Sequence, residues 1–210
     1  MATTTRRRLD PALRRAQIID AAEQVLAGRE PGEVTFEEVA EAAGVSRALV
    51  YNYFGDRGGL MAAVYLRSFQ RLDDELTRAL TEQQSPEEQL RILIRSYLEL
   101  AATDMAAWKL IGSTEATVHP VVQTLRRRRD DQLAQAWGGT ARARVAARAV
   151  IGLLEAATID WRERGDCSLD EVADVLFALL WDGLSGLDAG RGRGATRRRS
   201  PAATAPTTSP

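Results

Sequence analysis

The sequence predicts an all-α chain, and three observations carry that reading. Apolar residues recur at three- and four-residue spacing over most of the 210 residues, the mark of amphipathic helices. Thr35-Phe36-Glu37-Glu38, Ser85-Pro86-Glu87-Glu88 and Ser168-x-x-Glu171 have the form of capping boxes. In each, a hydroxyl takes an amide of the first helical turn and the glutamate reaches back to the amide of the cap residue. No run of alternating β-branched residues reads as a strand, and seven prolines and sixteen glycines leave long stretches free for helix.

The elements follow in order. Residues 1–9 hold Arg6, Arg7 and Arg8 without an apolar pattern and read as a disordered basic arm. Asp10-Pro11 supplies a cap and a first-turn proline, after which Ile18, Ile19, Ala22, Val25 and Leu26 form one helical face. Gly28–Val34 is a loop. Thr35 then caps a short helix with Phe36, Val39, Ala40 and Ala43 on its inner side. Gly44 suits the left-handed residue that ends a helix, and Ser46 caps the next, Ser46–Tyr53, which turns Val50 inward. From Leu60, the positions of Val64, Tyr65, Phe69, Leu72, Leu76 and Leu80 predict one long connecting helix; Gly58-Gly59 before it is a weak helix start.

Ser85 opens a helix carrying Leu90, Leu93, Ile94, Tyr97, Leu98 and Ala101, and a short helix follows within Thr103–Gly112. His119-Pro120 opens another that ends near Trp137, before Gly138-Gly139. Ala141–Arg164 carries a stripe of Val145, Ala149, Gly152, Leu153, Ala156 and Ile159. Gly165-Asp166 breaks it, and Ser168 starts a last helix through Leu169, Val172, Leu176, Leu179, Leu180, Gly183 and Leu187. Residues 189–210, rich in Gly, Arg, Pro, Ser and Thr, cannot bury a core and read as a disordered tail. The expected organisation is an arm at 1–9, a first domain at 10–57, a larger helical domain at 58–188 and a tail at 189–210.

Within the first domain, two short helices joined by a glycine turn make a helix-turn-helix, whose second helix is shaped to lie in a DNA major groove. That helix turns Arg47, Ala48, Tyr51 and Asn52 outward, with Ser46 at its cap. Thr35, Tyr53 and Arg57 are placed to grip phosphates beside it. The rival reading is an ordinary αα-hairpin in a bundle.

The same residues carry a family resemblance. Ala43-Gly44-Val45-Ser46, Val50-Tyr51, Tyr53-Phe54 and Leu60 resemble the signature of TetR-family transcriptional repressors, and Ile18-Ile19-Asp20-Ala21-Ala22 is similar to that family's first helix. The match covers about the first quarter of the chain. Two positions depart from the family pattern: Leu49 stands where a small hydroxyl residue is usual, and Arg57 where a lysine is usual. Arginine keeps a phosphate contact, since its fork binds phosphate well. The resemblance implies a homodimer built on the last two helices, a double-stranded pseudopalindromic operator, and repression relieved when a small molecule enters the C-terminal domain. The alternative is a nonspecific or architectural DNA-binding protein without a ligand switch.

Charge distribution fits a DNA-binding face. The formal net charge is −1, but eight of the 28 basic residues lie in the arm and tail with no acid among them. The stretch between holds 20 basic against 29 acidic residues. Basic ends on an acidic body suit a protein that meets DNA at one place. The single Cys167 excludes an intrachain disulfide, no apolar run of about 18 residues could span a membrane, and the charged N-terminus is unlike a signal peptide, so a cytoplasmic protein is expected.

Candidates for other chemistry are few. Leu93, Tyr97, Met105, Trp108, Trp137 and Trp161 are candidate lining for an apolar or aromatic effector, with Glu115 and His119 the ionisable groups among them; as helix aromatics they read equally as core. Arg126–Arg129, followed by Asp130-Asp131, reads as a solvated helix face. His119 has no second His or Cys at ligand spacing and reads as a cap, and Cys167 has no basic neighbour to activate it. No phosphate-cradling glycine loop, metal-spaced histidine pair or nucleophile elbow is present, so neither a catalytic residue nor a cofactor or metal is expected.

Overall fold

The computed structural model describes residues 10–82 and 85–189, with no strand among them. The arm and the tail beyond Ala189 lie outside the described residues. Local chemistry sets most helix boundaries. Asp10 accepts the Ala12 amide at 2.7 Å ahead of α1 (Pro11–Gly28), and a 3-10 turn at Pro31–Glu33 lies within the expected loop. The Thr35 box forms completely: its hydroxyl accepts the Glu38 amide at 3.2 Å, and Glu38 accepts the Thr35 amide at 3.0 Å, opening α2 (Phe36–Ala43). Gly44 takes φ +63°, which a β-carbon would strain, and α3 (Arg47–Phe54) follows under the Ser46 cap.

The rest is α4 (Arg57–Thr81), α5 (Pro86–Thr103), α6 (Met105–Ile111), α7 (Thr114–Thr117), α8 (Pro120–Ala136), α9 (Ala141–Arg164) and α10 (Leu169–Ala189). Ser85 accepts the Glu88 amide, Ser168 and Glu171 form a full box, and His119 Nδ1 accepts the Val121 amide.

The start of α4 differs from the expectation. It begins at Arg57 and contains both glycines, with Asp56 accepting the Gly59 amide at 2.8 Å. A β-carbon on Gly59 would stand 2.1 Å from the Phe54 carbonyl oxygen, so glycine there permits the close approach of α3 to α4. One apolar cluster runs from Ile18 and Leu26 through Leu60, Val64 and Phe69 to Ile151 and Leu154. At its centre α4 packs against α1 and α3 near one end and against α5, α6, α7 and α8 elsewhere, crossing residues 57–58 without a break.

The last two helices each carry two apolar rows. In α9 the buried row is Ala143, Ala147, Val150, Ile151, Leu154 and Thr158, while Val145, Ala149 and Ala156 face solvent. In α10 Leu176 and Leu180 point inward, and Val175 and Leu179 are exposed.

The arginine run is not a solvated face. Arg127 and Arg128 are exposed, but Arg129 is 1% exposed and Arg126 is largely buried. Arg129 Nε donates to Asp73 at 2.8 Å, and its guanidinium lies 5.2 Å from the centre of the Phe69 ring, which stacks on Tyr65. Arg126 pairs with Glu155 at 2.5 Å, and the other Glu155 oxygen accepts the Tyr97 hydroxyl at 3.3 Å. Burial opposes the charge on Arg129, but Tyr97, Asp73 and Tyr65 hold its pKa above the ordinary arginine value. The acids that turn this helix inward, Asp73 and Glu155, lie on other helices, which is why the local pattern misled.

Candidate nucleic-acid interface

The first three helices present one short helix to solvent on a rigid backing. Val50 and Phe54 of α3 are buried, with Arg15 stacked 5.3 Å over the Phe54 ring. Gln17 of α1 donates to the Ala43 carbonyl at 2.7 Å, satisfying the end of α2. Ser46, Arg47, Ala48, Tyr51 and Asn52 are then all exposed on one side of α3, as the periodicity predicts. Tyr51 meets Phe36 edge to face at 6.5 Å, which positions the phenol without burying it. Arg47 Nε lies 2.8 Å from Glu37, a pair between two well-exposed side chains that holds the guanidinium only loosely. Tyr53 is half-buried against Phe54, and Leu49 is half-buried at the first turn of the helix.

Two of the expected phosphate contacts are otherwise engaged. The Thr35 hydroxyl both accepts from Glu38 and donates to it, at 3.2 and 2.9 Å, so a phosphate would compete with the capping box. These Thr35 contacts, hydroxyl first and amide second, hold the Glu38 carboxyl below the ordinary glutamate range. Arg57 does not stand free beside α3. Its guanidinium donates to the Gly32 carbonyl at 2.5 Å and pairs with Glu115 of α7.

A second fastening joins the same parts. Lys109 of α6, 9% exposed in its side chain, donates to the Leu26 and Arg29 carbonyls at 2.9 and 2.8 Å, with Glu30 at 3.6 Å. Helix α1 has no basic residue in its last turn, so Lys109 supplies the positive group its C-terminus calls for. Neither contact could be read from spacing, because the carbonyls that Lys109 meets lie 80 and 83 residues away and the partners of Arg57 lie 25 and 58 away.

The candidate effector residues stand in different settings. Leu93 and Tyr97 are buried in the core, and Met105 is exposed at the start of α6. Trp108 lies under Arg162, Trp137 caps the end of α8, and the Trp161 indole donates to the Cys167 carbonyl. Two open volumes are lined by other residues. A groove of about 650 Å³ between α4 and α8 is bounded by Thr77, Leu80, Thr124, Arg127, Arg128 and Gln132, among others. A cleft of about 420 Å³ between α7, α8 and α9 is lined by Thr117, Gln123, Arg126, Arg127, Asp130 and Arg148. Among the described residues, no group of three or more His, Cys, Asp or Glu could hold a metal, and no helix is long and apolar enough to cross a membrane.

A capped helix-turn-helix followed through α4 by a larger set of helices defines the class: an all-helical protein whose N-terminal helices have the form of a nucleic-acid-binding head. Residues 18–64 match the model of the bacterial regulatory proteins of the tetR family. An uncharacterized HTH-type transcriptional regulator of Mycobacterium tuberculosis is 36% identical over 94 residues, 44% of this chain and 46% of that protein. The chain thus matches about half the length of that curated relative. A TetR-like transcriptional regulator from Rhodococcus sp. RHA1 aligns with TM-score 0.65 and 29% identity, over 85% of this chain and all of that one. A tetR-family regulator from Streptomyces coelicolor aligns with TM-score 0.68 and 25% identity, over 88% and 87%. Residues 18–64 thus carry the tetR-family domain, and the whole chain has the fold of the TetR-like regulators it aligns with.

Proposed function

We propose that the chain is a sequence-specific transcriptional regulator acting as a homodimer, a repressor released from a pseudopalindromic operator by a small effector in its C-terminal domain. The observation that carries this reading is the outer face of α3, where Arg47, Ala48, Tyr51 and Asn52 stand together in solvent while Val50 and Phe54 anchor the helix from behind. Guanidinium and carboxamide groups pair with base edges in the major groove, and a small alanine allows close approach. Ser46 and Tyr53 flank this face and suit phosphates, whereas Thr35 and Arg57 reach DNA only by giving up their present partners.

The homodimer is supported by the outward rows of α9 and α10. Val145 and Leu179 are 69% and 62% exposed, with Ala149, Ala156 and Val175 between and beside them. A second copy related by a two-fold axis covers such a face and sets two recognition helices about one DNA turn apart or somewhat more. For the effector, an apolar or aromatic molecule at Leu93, Tyr97, Met105, Trp108, Trp137 and Trp161 is the expectation from sequence. The open space around α8, with its polar lining, favours entry beside that helix instead. Release requires the ligand to prefer the DNA-incompetent state by about 1–3 kcal/mol.

Selecting bound fragments from random DNA, then titrating the selected and a scrambled duplex at one salt concentration, tests the reading. A pseudopalindrome bound on the order of a thousandfold tighter than its scrambled form is expected. Equal affinities would leave the nonspecific or architectural binder.

A further inference from the structure

Helix α1 joins the recognition helix to the rest of the fold. Its first half carries the head: Arg15 lies over the Phe54 ring at the end of α3, and Gln17 donates to the Ala43 carbonyl at the end of α2. Its second half is held by other helices at two levels. Arg67 of α4 donates from Nε to Glu23 at 2.8 Å and from Nη1 to Asp20 at 2.5 Å. Beyond them, Lys109 of α6 holds the Leu26 and Arg29 carbonyls at the end of the helix. Asp20, Glu23 and Leu26 recur at three-residue spacing, so both cations meet one stripe of α1.

Two attachments on one helix do what one cannot. A single contact leaves a pivot, whereas contacts at two levels along α1, with Arg57 on Gly32 as a third, fix its direction. These bonds are charge-assisted, and the Lys109 side chain, 9% exposed, makes them where water competes little. The direction matters because α1 acts as a lever. From Leu26 to Arg15 is about 17 Å of helix at 1.5 Å per residue. A tilt of about 10° at the held end moves Arg15, and the end of α3 packed on it, by about 3 Å, close to the ~3.4 Å rise of one base pair.

We propose that Lys109 and Arg67 are positioning residues for operator spacing: they set the direction of α1 and, through it, the distance between the recognition helices of two subunits. This rests on the dimeric regulator reading, and adds to it the residues that choose how many base pairs separate the half-sites. Both side chains are engaged with α1 and lie away from the outer face of α3, so they act on spacing and leave base preference within a half-site to that face.

The test uses the full chain and the operator selected from random DNA. Further duplexes have one base pair added to or removed from the operator's centre, or a single base changed in one half-site. The wild type should lose about tenfold or more in affinity on either change of spacing. Lys109→Met, which keeps an apolar stem and removes the amine, should cut that loss to about threefold or less while the penalty for the changed base stays as in the wild type. Arg67→Gln should do the same, and Arg67→Lys should keep the wild-type profile, since a cation remains opposite Asp20 and Glu23. Unfolding midpoints show which variants fold, and Arg67→Gln decides the matter where Lys109→Met does not. Spacing penalties as steep in both variants as in the wild type overturn the positioning role and leave the regulator reading standing. An equal loss on every duplex, or a wild type indifferent to spacing, does likewise. A chain that selects no operator overturns both.

Discussion

Arg57 and Glu115 pair across 58 residues of sequence and tie the first turn of α4 to α7. The same guanidinium holds the Gly32 carbonyl, so a residue expected to grip phosphate instead fixes how the head sits against the larger domain. Both side chains are partly exposed, which keeps the pair modest, about 0.2–1 kcal/mol.

Arg57→Ala and Glu115→Gln should therefore be non-additive. A double-mutant cycle by denaturant unfolding is expected to give a coupling of about 0.5 kcal/mol, with the salt dependence of operator binding nearly unchanged. A salt slope lowered by about one unit for Arg57→Ala, with Glu115→Gln silent, would restore the phosphate role.

Arg47→Ala should act on recognition alone. Its pair with Glu37 is highly exposed, so stability should change by less than about 0.5 kcal/mol. Operator affinity should fall by about 1–3 kcal/mol while random DNA loses much less. Equal losses on both would make Arg47 a phosphate contact.

Gly59→Ala should be costly where Gly58→Ala is mild. The added carbon at 59 meets a backbone oxygen at 2.1 Å, whereas at 58 it meets the Asp56 carboxylate at 3.2 Å. The first should destabilise by about 1–3 kcal/mol or more, read as a drop in denaturation midpoint. Equal effects would show that α3 and α4 yield easily to the clash.

Glu38 gives the α2 cap a defined pH response. Its folded pKa lies below the ordinary glutamate value, so the contribution is present above that value and is lost as pH falls through the folded one. Thr35→Val should raise the Glu38 pKa, observable by NMR titration, and remove this acid sensitivity from the head. An unchanged titration curve in the variant would mean that Thr35 is not the cause.

Leu179→Arg should separate dimerisation from folding. Leu179 is exposed in the single chain, so the variant should keep its unfolding midpoint yet sediment as a monomer and lose operator binding. An intact dimer would move the interface off α10.

What was legible in the sequence is what neighbouring residues decide. Thr35 with Glu38, Ser168 with Glu171, and Gly44 act within one helical turn, and the outward set of Arg47, Ala48, Tyr51 and Asn52 follows from period alone. Distant partners were not legible. Arg129 is turned inward by Asp73, 56 residues away, and Gly59 is required by a carbonyl on the preceding helix. Which of the candidate effector aromatics border open space was not legible for a related reason: helix aromatics mark what is apolar, not where packing leaves a gap.

Lys109 is the sole lysine in a chain with 28 lysines and arginines, and its amine is spent on the Leu26 and Arg29 carbonyls at the end of α1. Apart from the α-amino group, amine chemistry therefore has one address, shielded while α6 is docked on the head. The rate at which a lysine-directed reagent labels this protein should measure how often its two domains part, and operator DNA or an effector should shift that rate in opposite directions.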